Sequence, residues 1–429
     1  MRSLPFASIS CVSLTVLASL CFTFTFSPAA VLAQQGATPP AATSQRTHFD
    51  EAADYSTKYS GRAVLVMHKG EVVYERYDND WTATRPHMLA SGTKSFTGVV
   101  AMFAVQDGLL TLDEKVADTI TEWKSDERKR DITVRHLLAL SSGLDPADAA
   151  FPTRGERAGF RGQRNEITDA RTKRIERENA RTGVSKLATG NWFKDAVNVP
   201  AKHDAGEQFE YGPSHFYAFG ELINRKLTAQ DKIDVKTFED YAKLRIFEPL
   251  GMSIGRWGKD EAGNVNMPGG MMLTAREWAK FGQFILQRGA WKQADGSMKQ
   301  LLKAELLAQC FEPSAANSAY GLTWWLGGAA READGAQPVD TKPNTTTPDA
   351  EKSAGDRLRE RLREESSDTR ININGKTTPV YMAAGLGKQR LFVVPELDLV
   401  VVRFAEPSRS GLEFSNEDFL APIVQAISK

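Results

Sequence analysis

Cysteine is nearly absent from this 429-residue chain. Cys11, Cys21 and Cys310 are the only three. The first two lie in an apolar stretch, from about Ile9 to Phe26, that follows Arg2 and ends in Pro28 and small residues. A secretory signal has this pattern, and Val31-Leu32-Ala33 offers cleavage after Ala33. An uncleaved anchor helix is the alternative. The Pro and small residues that end the run, with no basic flank behind it, favour cleavage. Loss of residues 1–33 leaves Cys310 alone, so the mature chain has no internal disulfide and must be held by its core. A lone thiol of this kind is more often a small buried hydrophobe than a nucleophile.

Net charge is also missing: 54 Lys and Arg balance 54 Asp and Glu. No global bias toward nucleic acid or acidic membranes follows. Histidine is scarce, with six in the chain, scattered and none beyond His215. With no Cys pair left, nothing has metal-ligand spacing. There is no Walker-type phosphate loop, and no internal repeat. The expectation is an exported protein, periplasmic or secreted. It needs no cofactor, metal or nucleic acid, and keeps no integral membrane segment after cleavage. Its oligomeric state is left open.

What is present is organised. Gln34 to Gln45 is rich in Ala, Thr, Pro and Gln and reads as a flexible leader ahead of a domain at 46–429. Phe49 to Tyr59 reads as a helix. Arg62 to His68 and Glu71 to Arg76 read as a hairpin around Lys69-Gly70. Ser95 to Asp107 is a helix stopped by Gly108. A helical middle, about 115–290, includes Val134 to Leu140, Ser214 to Lys226 and Thr274 to Gln287. Ala319 to Leu326, Val380 to Ala384, Arg390 to Val394 and Leu397 to Phe404 read as strands, and Asn416 onward as helix. Strands at both ends around a helical middle predict an α/β (α+β) fold. A sheet built from both chain ends would be flanked by helices, with a helical subdomain inserted. Pro152 to Lys186 and Gly327 to Thr378 are too polar to add much core and read as solvated segments.

The chemistry centres on Ser91-Gly92-Thr93-Lys94. Positions three apart share a helix face. A Ser at a helix start lies near unpaired N–H groups, and a Lys one turn on can reach its hydroxyl. Serine is a weak nucleophile at its free pKa and needs such a neighbour. Ser91 is the only Ser here with Lys three residues on. The motif is short, however, and in isolation an ordinary helix cap fits it better.

The surrounding residues separate these readings. Met88-Leu-Ala-Ser-Gly-Thr-Lys-Ser-Phe96, Gly108 to Val116, Ile132 to Leu144 and Pro249-Leu-Gly-Met252 resemble, in order, landmarks of the class C β-lactamase and penicillin-recognising family and its esterase relatives. The resemblance implies a β-lactamase/transpeptidase-like fold and an acyl-serine intermediate. Ser91 is then the nucleophile, and Lys94 and Tyr211 manage its proton. Tyr211 matches the tyrosine of the family's Tyr-x-Asn motif, but Pro213 stands in place of the Asn, with Ser214 or His215 as candidate substitutes. At the Lys-Thr-Gly position stands Ala383-Ala384-Gly385. Gly385 would let substrate lie against the strand edge. The Leu386 N–H would join that of Ser91 as an oxyanion hole. Lys388 is close, but placed past the turn.

The favoured expectation is a serine hydrolase acting on a small ester, amide or peptide-like substrate. A β-lactamase or D-amino-acid peptidase, and a non-catalytic penicillin-binding-like protein, are the rivals. Gly251-Met-Ser-Ile-Gly255 spells the α/β-hydrolase nucleophile motif. That motif needs a strand-to-helix elbow and a later His, and no His follows His215. Ser253→Ala should therefore leave hydrolysis of a nitrophenyl ester within about three-fold of wild type; a loss as deep as that of Ser91→Ala would move the nucleophile to Ser253.

Overall fold

The computed structural model describes residues 40–146, 189–327, 369, 371–373, 376–406 and 414–428. Helix α1 (Pro40–Lys58) leads into the hairpin β1 (Gly61–His68) and β2 (Glu71–Tyr77). Lys69 and Gly70 both have positive φ, 52° and 84°, as a tight hairpin turn of matching twist requires. Strand β3 (His87–Met88), a 3-10 turn (Ala90–Thr93) and α2 (Lys94–Gln106) follow. The helices α3 (Val134–Leu138), α4 (Trp192–Val197), α5 (Ser214–Thr228) and α6 (Phe238–Ala242) make up the middle. After it come β4 (Arg256–Trp257), β5 (Met271–Leu273) and α7 (Ala275–Leu286). The hairpin β6 (Ala290–Lys292) and β7 (Met298–Gln300) precedes α8 (Ala304–Ala308). The chain then returns to sheet: β8 (Trp325–Gly327), β9 (Ile371–Ile373), β10 (Lys376–Thr378), β11 (Val380–Gly385), β12 (Gln389–Val394) and β13 (Leu399–Ala405). Helix α9 (Asn416–Ile427) is last.

The main sheet runs β2-β1-β13-β12-β11-β8, every pair antiparallel. Leu65 of β1 faces Val402 of β13, so both ends of the domain share one sheet, as the sequence pattern predicts. Every residue of β12 and β13 is buried. Helices cover both faces there, which is why these strands read as continuous apolar runs rather than alternating ones. On one face, Arg403 Nε donates to Ser56 Oγ of α1 at 2.9 Å, and Phe392 meets Phe419 of α9. On the other, Trp278 of α7 stacks on Phe404, with ring centroids 5.4 Å apart. Phe96 of α2 stacks on Phe281 of α7 at 3.8 Å. Helix α7, counted in sequence with the helical middle, therefore belongs to the sheet's own covering layer.

Three expectations change. Helix α1 starts at Pro40, inside the stretch read as a flexible leader. Of the expected 319–326 strand only Trp325 and Leu326 are strand, because Thr323 adopts φ 69° and breaks the extended run. The polar stretch 327–378 ends in structure: β9 pairs with β10, Ile371 is buried, and buried Thr369 accepts from Asn416 Nδ2 at 2.9 Å. The rest of that stretch, all of 152–186 and residues 1–39 lie outside the described residues.

Replacing residues 332–365 with a short Gly/Ser linker should leave one cooperative thermal transition, since closure entropy changes slowly with loop length. Loss of cooperativity would overturn this. Extending the deletion through Ile371 should cost about 2–5 kcal/mol for that buried side chain alone, read as a lower Tm.

Candidate active site

The residues ahead of α2 are tied down from several sides. Leu89 N donates to Met271 O of β5 at 2.9 Å. Thr93 Oγ1 donates to Ala90 O at 2.7 Å and accepts from Met271 N at 3.3 Å. Between them Ala90 is held at φ 48°, a left-handed conformation that costs a non-glycine residue about 1–2 kcal/mol. The surrounding bonds offset that cost and turn Ser91 out of the extended path. At Gly92 a Cβ would come within 2.7 Å of the Trp278 ring, so only glycine lets this turn press on α7.

Lys94 opens α2 and is 5% exposed. Its Nζ donates to Ser91 Oγ at 3.0 Å and to Pro268 O at 2.8 Å. It lies over the rings of Tyr211 and Phe216, with centroids at 4.7 and 5.4 Å, an arrangement that attracts a cation. The sequence brings Ser91, Lys94 and Tyr211 into one cluster. It gave no sign of Pro268, whose contribution is a backbone carbonyl with no side-chain signature beyond a Pro-Gly-Gly loop. Trp325, which stacks on Tyr211 at 5.8 Å, also went unmarked. Tyr320 packs edge-on against Trp325. Burial, and then Tyr211, push the Tyr320 phenol well above its ordinary value, so it stays neutral and serves as wall.

Tyr211 is fixed through its backbone neighbour. Glu210 N donates to Leu140 O at 2.8 Å, and Glu210 O lies 2.8 Å from His215 Nε2. His215 Nδ1 is 2.8 Å from Ser142 Oγ. One tautomer satisfies both contacts, with Nε2–H donating to Glu210 and the Ser142 hydroxyl donating to Nδ1. Both ring nitrogens are thus engaged away from Ser91, and His215 does not stand in for the missing Asn. Pro213 caps α5. Ser214 Oγ is buried and makes no hydrogen bond among the described residues.

Gly385 ends β11 against the nucleophile turn. A Cβ there would come 2.0 Å from Leu89 O and 3.2 Å from Ala90 Cβ. The glycine therefore serves close approach of two protein backbones, where the sequence suggested room for substrate. Leu386 beside it is 51% exposed. Strand β8 pairs only with Val380–Met382 of β11, so Ala383–Gly385 forms a sheet edge beyond it among the described residues. Lys388 is the last residue of the 386–388 turn. Ser253 lies exposed in a loop, its N–H on Glu277 Oε2 at 2.9 Å, and not on an elbow.

Such a fold is that of the β-lactamase-type serine hydrolases. The family model "Beta-lactamase" matches residues 46–411, and the chain belongs to that family. Protein flp of Staphylococcus aureus (strain N315) is 27% identical over 203 residues, 45% of this chain and 34% of that protein. The match thus spans about a third of the length of that curated relative. Among solved structures, the octameric penicillin-binding protein homologue from Pyrococcus abyssi has TM-score 0.56 at 16% identity, covering 91% of this chain and 78% of that one. EstCE1, a hydrolase with promiscuous acyltransferase activity, has TM-score 0.54 at 13% identity, covering 91% and 100%. These two likenesses show the fold alone.

A fluorophosphonate probe should label Ser91 and nothing in Ser91→Ala. Lys94→Met should slow labelling by roughly a hundred-fold or more, the scale of a positioned proton-transfer group. Labelling of Lys94→Met at the wild-type rate would remove Lys94 from the chemistry.

Proposed function

We propose that the protein hydrolyses small esters, and amides more slowly, through an acyl-serine on Ser91. The carrying observation is Lys94 Nζ at 3.0 Å from Ser91 Oγ. Ser91 Oγ attacks the substrate carbonyl while its proton passes to the Lys94–Tyr211 pair. The N–H groups of Ser91 and Leu386 hold the oxyanion. The leaving alkoxide takes the proton back, and water then releases the acid by the reverse sequence. Tyr211 supports this reading by its ring contact with Lys94.

Substrate class follows from what the site omits. In relatives the resemblance places a cation and a hydroxyl on this strand to grip a substrate carboxylate; here Ala383 and Ala384 are both apolar and buried. A charge-assisted hydrogen bond contributes about 1.5–3 kcal/mol, so its loss slows a carboxylate-bearing substrate by roughly ten- to a hundred-fold. An ester without that carboxylate loses nothing. Alkoxide or phenoxide also leaves more readily than amine, which lowers the demand on proton delivery where Pro213 supplies no donor.

On one enzyme preparation, kcat/KM for a nitrophenyl butyrate should exceed that for nitrocefin. The reverse order would favour the β-lactamase reading. Absence of both activities together with absence of probe labelling would favour a binding protein.

A further inference from the structure

The turn between β11 and β12 is held by buried side chains almost throughout its length. Arg390 Nη1 donates to Gly385 O at 3.2 Å and to Gln389 O at 2.9 Å. Gln389 Nε2 donates to Leu386 O at 3.3 Å and to Ala405 O at 2.6 Å. Arg403 Nη1 donates to Lys388 O at 2.8 Å. Arg390 Nε is itself fixed on Asn416 Oδ1 of α9 at 3.1 Å. Arg390 and Arg403 are 1% and 0% exposed and are register partners on adjacent strands. Two guanidiniums side by side in a core are costly to bury. Burial, and then Arg390, push the Arg403 guanidinium down to about 9. Arg403 also ties down the end of α1, its Nη2 donating to Ser56 O at 3.2 Å and to Tyr59 O at 2.8 Å, whereas the Nη1 of Arg390 is spent on the turn.

What the arrangement gains is control of one peptide group. In a trans peptide the C=O and N–H point in opposite directions. Gly385 O accepts from Arg390, so the N–H of the same peptide, that of Leu386, points away from that guanidinium. It leaves β11 at the edge that β8 does not cover, beside the Leu89–Ala90 turn that abuts Gly385. A cation on the carbonyl also draws electron density to the oxygen and makes the attached N–H a stronger donor.

We propose that Arg390 is a positioning residue for the reaction: it aims and polarises the Gly385–Leu386 peptide so that the Leu386 N–H meets the oxyanion. Arg390 touches no reacting atom and acts only through that peptide. The proposal rests on the acyl-serine reading above.

The test uses the full chain with Arg390→Gln, Arg390→Lys and Asn416→Ala. The readouts are kcat and KM for a nitrophenyl butyrate, the affinity of an alkylboronic acid, and Tm. The tetrahedral boronate places an oxygen where the oxyanion forms. Arg390→Gln should lower kcat by roughly ten- to a hundred-fold, somewhat less than outright loss of an oxyanion donor. Its KM should stay within about two-fold, because the interaction is made only in the transition state. Boronate affinity should fall by a factor similar to kcat. Arg390→Lys should restore most of both. Asn416→Ala, which removes one anchor of the guanidinium, should lower kcat several-fold at unchanged KM, and it decides the matter if Arg390→Gln does not fold. Undiminished boronate affinity in a folded Arg390→Gln, or in Asn416→Ala where that variant decides, would overturn the positioning role. Turnover that survives in Ser91→Ala would instead overturn the acyl-serine reading, so the two failures are distinguishable.

Discussion

The 3.0 Å contact between Lys94 Nζ and Ser91 Oγ sets conditions that much of the molecule meets. A lysine chain reaches a serine three residues earlier only if both lie on one helical face. The 3-10 turn running into α2 provides that face. A buried lysine head also needs partners other than water. Pro268 O comes from the loop before β5, and the Tyr211 and Phe216 rings come from the start of α5. The pair thus draws three separated segments of chain to one point. Ala90 pays for it in backbone strain, and Thr93 and Leu89 tie that strain to β5.

The sheet supplies the opposite side. Its central strands carry a continuous apolar core from β1, β12 and β13. The same strands bury Arg390 and Arg403, each of which sends its Nη1 to carbonyls of the β11–β12 turn. A charge placed there stiffens a turn that would otherwise have mobile peptide groups. The rigid part of the site is therefore made of two clamped backbone segments, the nucleophile turn and the end of β11. Gly385 allows them to touch.

The sequence showed most of this where periodicity and side-chain identity carry the signal. Ser91 and Lys94 were candidates from spacing and, like Tyr211, were singled out by the resemblance of the residues around them, and the sheet was legible from strands at both ends of the chain. Backbone contributions were not legible. Pro268 acts through a carbonyl, and Leu386 would act through an N–H that any residue except proline possesses. Arg390 was hidden for a different reason: arginine is ordinarily exposed, and only a strand covered on both faces buries it whichever way it points. The 319–324 stretch misled because its apolar residues fill a turn and an aromatic wall, and burial without extended pairing looks the same in sequence.

Two departures from the family pattern have a common physical sense. Pro213 and Ala383–Ala384 each put an apolar side chain where the resemblance places a polar one, and they come from different elements, the cap of α5 and the edge of β11. Neither change touches the nucleophile, its lysine or the backbone donors. Each removes a side chain that would recognise a polar feature of the substrate. In the proposed reaction, transition-state stabilisation would then fall more heavily on groups that every acyl-transfer substrate meets alike, the N–H groups of Ser91 and Leu386. Donors of that kind are effective only when held in place before the charge develops. A site that has given up side-chain recognition consequently has the greater need for a rigid oxyanion turn, and the buried arginines lie directly behind it.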